Sequence, residues 1–314
     1  MLVPFMRGET PPGDSSAQII PGDVRTACEA LADDSVQAII TSPPYFGHRN
    51  YVGPDADASL DAAEIGREKT LDIYLNHVVA CMDALRPKLR PTGLLWLNLG
   101  DTYRNKELLG VPWRVALALK DSGWHLRSDI IWKKPNAMPS SVKTRPTTDH
   151  EYIFMFSRSR TYDYYPDAIR EPHVTFTDRS KMRGGRRHLG KRGGTPEQGK
   201  NRGNSNLHDG RWDQAFHPDG RNKRTVWEIP LGKCREAHFA VFPEQLVKTC
   251  LLASTTPGDL VLDPFCGSGT TGVVAVRHGR RFVGIELVPR YREMAARRVS
   301  AALGETLGDG PSSS

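Results

Sequence analysis

The chain has 314 residues, 38% of them hydrophobic, with a formal net charge of +7 and a pI near 9.2. That length allows one large domain or two small ones with ample chain for a core, while the low apolar share implies that some segment packs poorly. Five cysteines, at 28, 81, 234, 250 and 266, form no CxxC pair, which argues against a disulfide framework or a zinc ribbon and fits a reducing, cytoplasmic setting.

Residues 1–16 are rich in Pro, Gly and Ser. They lack the apolar core of a signal peptide and are expected to form a disordered arm. Order is expected from Gln18-Ile19-Ile20, with a turn at Pro21-Gly22. Val36 to Thr41 is a β-rich run stopped by Pro43-Pro44, as a buried strand should be. Residues 46–69 read as a loop. Thr70 is an N-cap for a helix in which Leu71, Leu75, Val78, Met82 and Leu85 recur at steps of four and three, ending at Pro87. Pro91-Thr92-Gly93 reads as a turn into the buried strand Leu94–Leu99, and Trp113 to Lys120 as a helix. Strands are expected over 128–132 and 151–156. Order resumes at Thr225–Pro230, after a polar segment.

The C-terminal part is the most regular. Phe242 to Ala253 is a helix with Pro243 at its first helical position. Leu260-Val261-Leu262 is a strand, followed by a glycine loop and a helix to His278 with Gly279 as its stop. Phe282 to Ile285 is a strand, and Pro289 opens a helix to about Leu303. No apolar run is long enough to cross a membrane. Alternating strands and helices imply an α/β fold with a mostly parallel sheet, in which ligands sit at the C-terminal strand ends.

The charge is concentrated. Arg179 to Arg224 holds 13 Lys and Arg against four acids, a net +9, so the other 268 residues sum to −2. With nine glycines and few large apolar residues, this insert cannot form a core by itself. A concentrated basic patch points to a polyanion, with nucleic acid the leading candidate.

Two loops at strand ends carry chemistry. Asp263-Pro264-Phe265-Cys266-Gly267-Ser268-Gly269-Thr270-Thr271-Gly272 contains G-x-G-x-x-G between a strand and a helix. Glycines let a ligand approach the backbone, and the helix start offers free N–H groups. Glu286, 19 residues beyond Gly267 and at the next strand end, suits a ribose diol. The motif fits a dinucleotide, and hence an NAD-dependent oxidoreductase, or S-adenosyl-L-methionine. Asp263 before the glycines favours the latter, since a carboxylate there would repel a pyrophosphate and accept an amino group. The second loop, Thr41-Ser42-Pro43-Pro44-Tyr45, follows the strand ending at Ile40. Its prolines remove two N–H donors. What remains is a set of acceptors and an aromatic face suited to a planar amino-heterocycle.

Ser42-Pro43-Pro44-Tyr45 resembles the (D/N/S)PPY catalytic motif of amino-methylating DNA methyltransferases. Asp263 to Thr271 resembles their DPFxGSGTT cofactor motif, and His238-Phe239-Ala240-Val241-Phe242-Pro243 the segment that closes over the cofactor. The order, with SPPY first, a basic region between and the glycine motif last, is that of the circularly permuted β group. The resemblance implies a Rossmann-like methyltransferase fold that flips a base and methylates its exocyclic amine. Ser42 Oγ and the Pro43 carbonyl would accept the two amine N–H groups, Pro44 would complete the rigid loop, and Tyr45 would stack on the base, with Phe46 assisting. Ser at the first motif position implies cytosine N4, with adenine N6 as the alternative.

Cofactor-binding residues on this reading are Asp23, Thr41, Pro243, Asp263, Pro264, Phe265, Gly267, Ser268, Gly269, Thr270, Thr271 and Glu286. DNA phosphate contacts are expected from Lys133, Lys134 and Arg145, and from the insert residues Arg179, Lys181, Arg183, Arg186, Arg187, Lys191, Arg192, Arg202 and Arg211. The expected divisions are a catalytic half at 17–170, a target-recognition insert at 171–225, a cofactor-binding half at 226–304 and a disordered tail at 305–314. The partners implied are double-stranded DNA and a cognate restriction endonuclease, with the protein acting as a monomer or homodimer. No His or Cys spacing suggests a metal. Cys266 is read as a small apolar residue rather than a nucleophile.

Overall fold

The computed structural model describes residues 16–47, 51, 63–172, 219–232 and 242–308. In chain order these form β1 (Ala17–Pro21), α1 (Val24–Ala27), β2 (Val36–Thr41), α2 (Leu71–Leu85), β3 (Leu89–Leu99), β4 (Tyr103–Arg104), β5 (Glu107–Leu108), α3 (Val111–Asp121), β6 (His125–Lys133), β7 (His150–Ser157), β8 (Val226–Glu228), α4 (Glu244–Ser254), β9 (Leu260–Asp263), α5 (Thr270–Arg277), β10 (Arg281–Glu286) and α6 (Pro289–Gly308). The expected N-terminal arm up to residue 15, most of the loop at 46–69, most of the basic insert, the segment 233–241 and the tail from 309 lie outside the described residues.

An eight-stranded sheet runs in the order β1-β10-β9-β2-β3-β7-β6-β8. The pairs from β1 through β3 are parallel. β7 is antiparallel to both its neighbours, and β8 is parallel to β6. β2 and β9 meet at the centre and are buried along their whole length. Strands covered on both faces read as unbroken apolar runs, which is why both were visible in the sequence. From β2 the chain moves outward to β3, and from β9 it moves the other way to β10. The β2–β9 boundary is therefore the switch point of a doubly wound sheet, where a crevice opens at the C-terminal strand ends. Thr41-Ser42 and Asp263-Pro264 leave the sheet side by side at that crevice.

α2 starts as its sequence predicts, with Thr70 Oγ1 accepting from the Ile73 N–H at 3.4 Å. Its most buried face is Tyr74, Val78, Cys81, Met82 and Leu85, with Leu71 and Leu75 on the flank. Four boundaries differ from expectation. Pro91-Thr92-Gly93 is not a turn before β3 but a bulge inside it, where pairing with β2 jumps from Val36–Leu89 to Ala38–Leu94. Gly93 is needed there because a Cβ would lie 2.9 Å from the Gln37 carbonyl oxygen. Pro243 is the N-cap of α4, with extended φ and ψ, rather than its first helical residue. α3 begins at Val111, ahead of Trp113, with Pro112 in its first turn. α6 runs beyond Leu303 to Gly308.

The chain separates into two compact units, Met1–Tyr164 with Thr225–Ser314, and Tyr165–Arg224. The first holds the sheet and the core. In the second, Glu171 and Arg221 exchange backbone hydrogen bonds of 3.0 and 2.9 Å, and Arg170 Nη1 donates to the Gly220 carbonyl at 3.0 Å. These contacts pair residues 170–171 with 220–221 within that unit.

Candidate active site

β9 ends at Asp263 and the chain turns through Pro264–Gly269 into α5. Gly269 is left-handed (φ 81°), and a Cβ on it would come within 2.9 Å of the Ala295 Cα, so the loop sits tightly against α6. Arg298 Nη1 holds it by donating to the Ser268 carbonyl at 2.6 Å and to Ser268 Oγ at 2.9 Å.

Two carboxylates frame this loop. Asp263 is 4% exposed. Its Oδ1 accepts from Thr41 Oγ1 at 2.7 Å and from the Phe265 N–H at 3.1 Å, and its Oδ2 accepts from Thr271 Oγ1 at 2.7 Å. Burial pushes its carboxyl up to about 6, against those three hydrogen bonds. Glu286, at the end of β10, accepts from the Gly267 N–H at 2.7 Å through Oε2 and from the Val288 N–H at 2.8 Å through Oε1. Burial raises this carboxyl too, with the two amides opposing. Asp23 N-caps α1 and accepts from the Arg25 N–H at 2.8 Å and Arg25 Nε at 2.9 Å. Partial burial would raise Asp23, but the Arg25 hydrogen bonds and charge override it and hold the carboxyl below its usual value.

The loop after β2 is braced from several sides. Tyr74 Oη donates to the Pro44 carbonyl at 3.0 Å, and the Phe46 and Tyr74 rings are 5.5 Å apart. The Tyr45 ring packs on Gly100, where a Cβ would lie 2.6 Å from Cε2. Its hydroxyl enters a polar cluster that the sequence reading missed. Tyr45 Oη donates to Glu151 Oε2 at 2.7 Å. Ser42 Oγ lies 3.1 Å from Tyr45 Oη. Asn98 Nδ2 lies 2.6 Å from Tyr45 Oη and 2.8 Å from Glu151 Oε2. Lys134 Nζ pairs with Glu151 Oε1 and sits 4.7 Å from the Trp132 ring centroid. A signal existed for two of these residues: Asn98 is the polar residue in the buried run Leu94–Leu99, and Glu151 is a charge opening an apolar strand.

Both loops line one cavity of about 510 Å³, with Asp23, Ser42, Tyr45, Asn98, Glu151, Asp263, Gly267 and Glu286 on its wall. That volume is ordinary for a cofactor or small-molecule pocket, about 300–1,000 Å³. The fit to an adenosine-containing cofactor rests on Glu286. Each carboxylate oxygen has two lone pairs, and each of these oxygens spends one on a backbone amide, leaving two adjacent acceptors for a vicinal diol.

Pro264, Phe265, Ser268, Thr270 and Thr271 line the same cavity. Thr41, Gly269 and Pro243 do not; the first two support Asp263 and the loop, and Phe242 lines the cavity beside Pro243. Lys134, expected on DNA phosphate, lies on the cavity wall and is ion-paired, because the β6–β7 pairing brings it to Glu151. Lys133 is half-buried and 3.3 Å from Glu228, and the Arg145 guanidinium lies 3.5 Å above the Tyr103 ring. Arg179, Lys181, Arg183, Arg186, Arg187, Lys191, Arg192, Arg202 and Arg211 lie outside the described residues, as do His238–Val241. The Cys266 thiol is buried and pushed well up, which keeps it neutral rather than nucleophilic. Among the described residues no cluster of His, Cys, Asp or Glu could hold a metal ion, and no helix is long and apolar enough to cross a membrane.

A doubly wound sheet with a carboxylate-flanked glycine loop, opening into one cavity with an acceptor-rich Pro-Pro loop, defines an enzyme of the nucleoside-cofactor, group-transfer class. The profile of the DNA methylase family matches residues 36–297. The type II methyltransferase M.Cfr9I of Citrobacter freundii is 37% identical over 91% of this chain and 88% of its own length. M.SmaI of Serratia marcescens is 36% identical over 90% of this chain and 91% of its own length. The chain belongs to the DNA methylase family, whose methyl donor is S-adenosyl-L-methionine and whose substrate is DNA. Among solved structures, the cytosine-N4-specific PvuII DNA methyltransferase superposes with a TM-score of 0.64 at 19% identity, covering 95% of this chain and 96% of that one. M1.HpyAVI in complex with S-adenosyl-L-methionine gives 0.53 at 19% identity, covering 90% of this chain and 98% of that one. At those identities the likeness speaks for the fold.

Proposed function

We propose that this chain methylates the N4 amine of a cytosine in duplex DNA, as the modification partner of a restriction endonuclease of the same specificity. The observation that carries the base assignment is Ser42, a hydroxyl rather than a carboxylate or carboxamide, on the cavity wall at the first position of the Pro-Pro-Tyr loop. The type II relatives support the pairing with an endonuclease.

Chemistry on a base inside a duplex requires the base to leave the stack and enter a pocket. Its exocyclic amine is a weak nucleophile because the nitrogen lone pair is delocalised into the ring. Two fixed acceptors, Ser42 Oγ and the Pro43 carbonyl, draw the N–H bonds out of conjugation and aim the lone pair, so catalysis is largely positioning. Bound in the cavity, the cofactor supplies an electrophilic methyl group on its sulfonium. Glu286 would hold the ribose hydroxyls, and Asp263 would offer the remaining lone pair of Oδ2 to the α-ammonium group. Nucleoside analysis of unmethylated DNA after incubation with the protein and cofactor should show N4-methylcytosine; N6-methyladenine or 5-methylcytosine would overturn the assignment.

Asp263 sets a pH dependence with opposite signs for binding and folding. With a folded value of about 6 it is ionised at pH 7 and largely protonated at pH 5. Cofactor affinity should therefore fall below pH 6, by up to about tenfold per unit, because the proton competes with the ammonium. The folded state binds more protons than the unfolded one between 3.8 and about 6. This residue therefore contributes less stability as pH rises through that window, a change of about 1 kcal/mol between pH 5 and 7. Calorimetric titration of cofactor across pH 5–7 checks the first sign, and a flat affinity would remove Asp263 from the ammonium site.

A further inference from the structure

A serine hydroxyl is an ambiguous acceptor. It carries one proton, which can rotate toward the substrate amine and present a donor to a donor. A carboxylate in the same place has no such ambiguity. An enzyme that uses Ser42 as its acceptor must therefore fix where that proton points.

The polar cluster behind Ser42 does this, and the direction of each hydrogen bond follows from its members. Glu151 Oε1 is paired with the Lys134 ammonium, and a carboxylate only accepts. The 2.7 Å contact between Tyr45 Oη and Glu151 Oε2 must therefore carry the tyrosine proton. Asn98 Nδ2 only donates, so its contacts with Tyr45 Oη at 2.6 Å and Glu151 Oε2 at 2.8 Å are donations. With the tyrosine proton committed, the 3.1 Å contact between Ser42 Oγ and Tyr45 Oη must carry the serine proton. Both Asn98 Nδ2 protons are spent on Tyr45 Oη and Glu151 Oε2, so its 3.4 Å approach to Ser42 Oγ is no full hydrogen bond and the serine lone pairs stay available to the cavity that Ser42 lines. The Tyr45 hydroxyl is pushed well above its usual value by burial and by the Glu151 charge, which keeps it protonated and able to donate. The opposite amide orientation of Asn98 would set a carbonyl against the Glu151 carboxylate. The orientation found leaves Asn98 Oδ1 buried with no hydrogen-bond partner. A buried orphan acceptor lowers stability, as is tolerated where a polar network serves a site.

We propose that Glu151, acting through the Tyr45 hydroxyl, is a positioning residue that locks the Ser42 proton away from the substrate and so makes a serine serve where a carboxylate otherwise would. Lys134 and Asn98 hold the carboxylate in place for that task. Tyr45 then has two duties, a ring for the base and a hydroxyl for Ser42, and the second is separable from the first. The inference rests on the amine-methylation reading and deepens it.

Tyr45→Phe keeps the ring and deletes the link; Glu151→Gln keeps the size and makes the polarity reversible, since its amide both donates and accepts. The assay is single-turnover transfer of tritiated methyl from saturating S-adenosyl-L-methionine to unmethylated genomic duplex DNA, with cofactor affinity and melting temperature measured alongside. Each variant should transfer about tenfold more slowly with cofactor affinity unchanged. In the double variant with Ser42→Ala, Tyr45→Phe should add almost nothing, because its whole effect runs through the serine. Wild-type rates in Tyr45→Phe and Glu151→Gln would overturn the proposal. So would a Tyr45→Phe penalty that persists undiminished on Ser42→Ala, which would place the hydroxyl on the base instead. Failure of the wild-type protein to label DNA would reject the methylation reading itself, a different result.

Discussion

Ser42→Ala is expected to bind S-adenosyl-L-methionine as tightly as the wild type and to transfer methyl roughly 10²-fold more slowly or worse. The size follows from losing an acceptor whose hydrogen bond strengthens as the amine nitrogen gains positive charge, comparable with removing one donor from an oxyanion hole. The separation of rate from affinity follows from the contacts. Ser42 Oγ bonds to Tyr45 and lies 3.4 Å from Asn98 Nδ2. The glycine loop is held instead by Thr41 and Thr271 on Asp263 and by the Gly267 amide on Glu286. Removing one oxygen from the first set leaves the second untouched, and the Pro43-Pro44 backbone keeps its shape through the Tyr74 hydrogen bond to Pro44. Single-turnover transfer and cofactor titration on the same preparation decide it. An unchanged rate refutes the acceptor role, and a parallel loss of affinity would make the loop a cofactor support instead.

What the sequence could disclose about this site divides along physical lines. β2, β9 and the loops that follow them were legible because their information is local. A strand buried on both faces is a continuous apolar run, and prolines or glycines next to it mark where backbone conformation is constrained. The bulge at Pro91–Gly93 was misread as a turn because the same residues serve both, and only the β2 partner decides. Asn98 and Glu151 were missed for a deeper reason. Their meeting depends on the antiparallel register of β3 and β7, which pairs Asn98 with Ile153 and Leu99 with Tyr152, between segments 53 residues apart. Nothing in either segment states that register. The position of Lys134 was hidden for the same reason: beside Lys133 and Pro135 it looks like an exposed basic loop, and the pairing of Trp132 with Glu151 across β6 and β7 turns it into the cavity.

Glu286→Ala should do the reverse of Ser42→Ala. A hydrogen bond to a charged acceptor contributes about 1.5–3 kcal/mol, and the carboxylate offers one lone pair to each hydroxyl of a diol, so affinity for S-adenosyl-L-methionine should drop about 10²-fold or more. The loop suffers as well. The Gly267 and Val288 amides lose their partners, each in a setting where an unpaired donor costs about 1–3 kcal/mol, so the melting temperature of the free protein should also fall. Glu286→Gln separates the two effects, because its one carbonyl oxygen can serve one amide and one hydroxyl while its NH2 opposes the other amide. An intermediate affinity is expected from it. At saturating cofactor the Ala variant should recover most of the wild-type rate, since the lost contacts are made equally before and during methyl transfer and belong to binding rather than to the transition state. A melting temperature that falls while the dissociation constant stays put would make Glu286 a brace for the glycine loop and nothing more. A rate that stays depressed at saturation would mean the carboxylate also sets the position of the methyl group relative to the Ser42 acceptor.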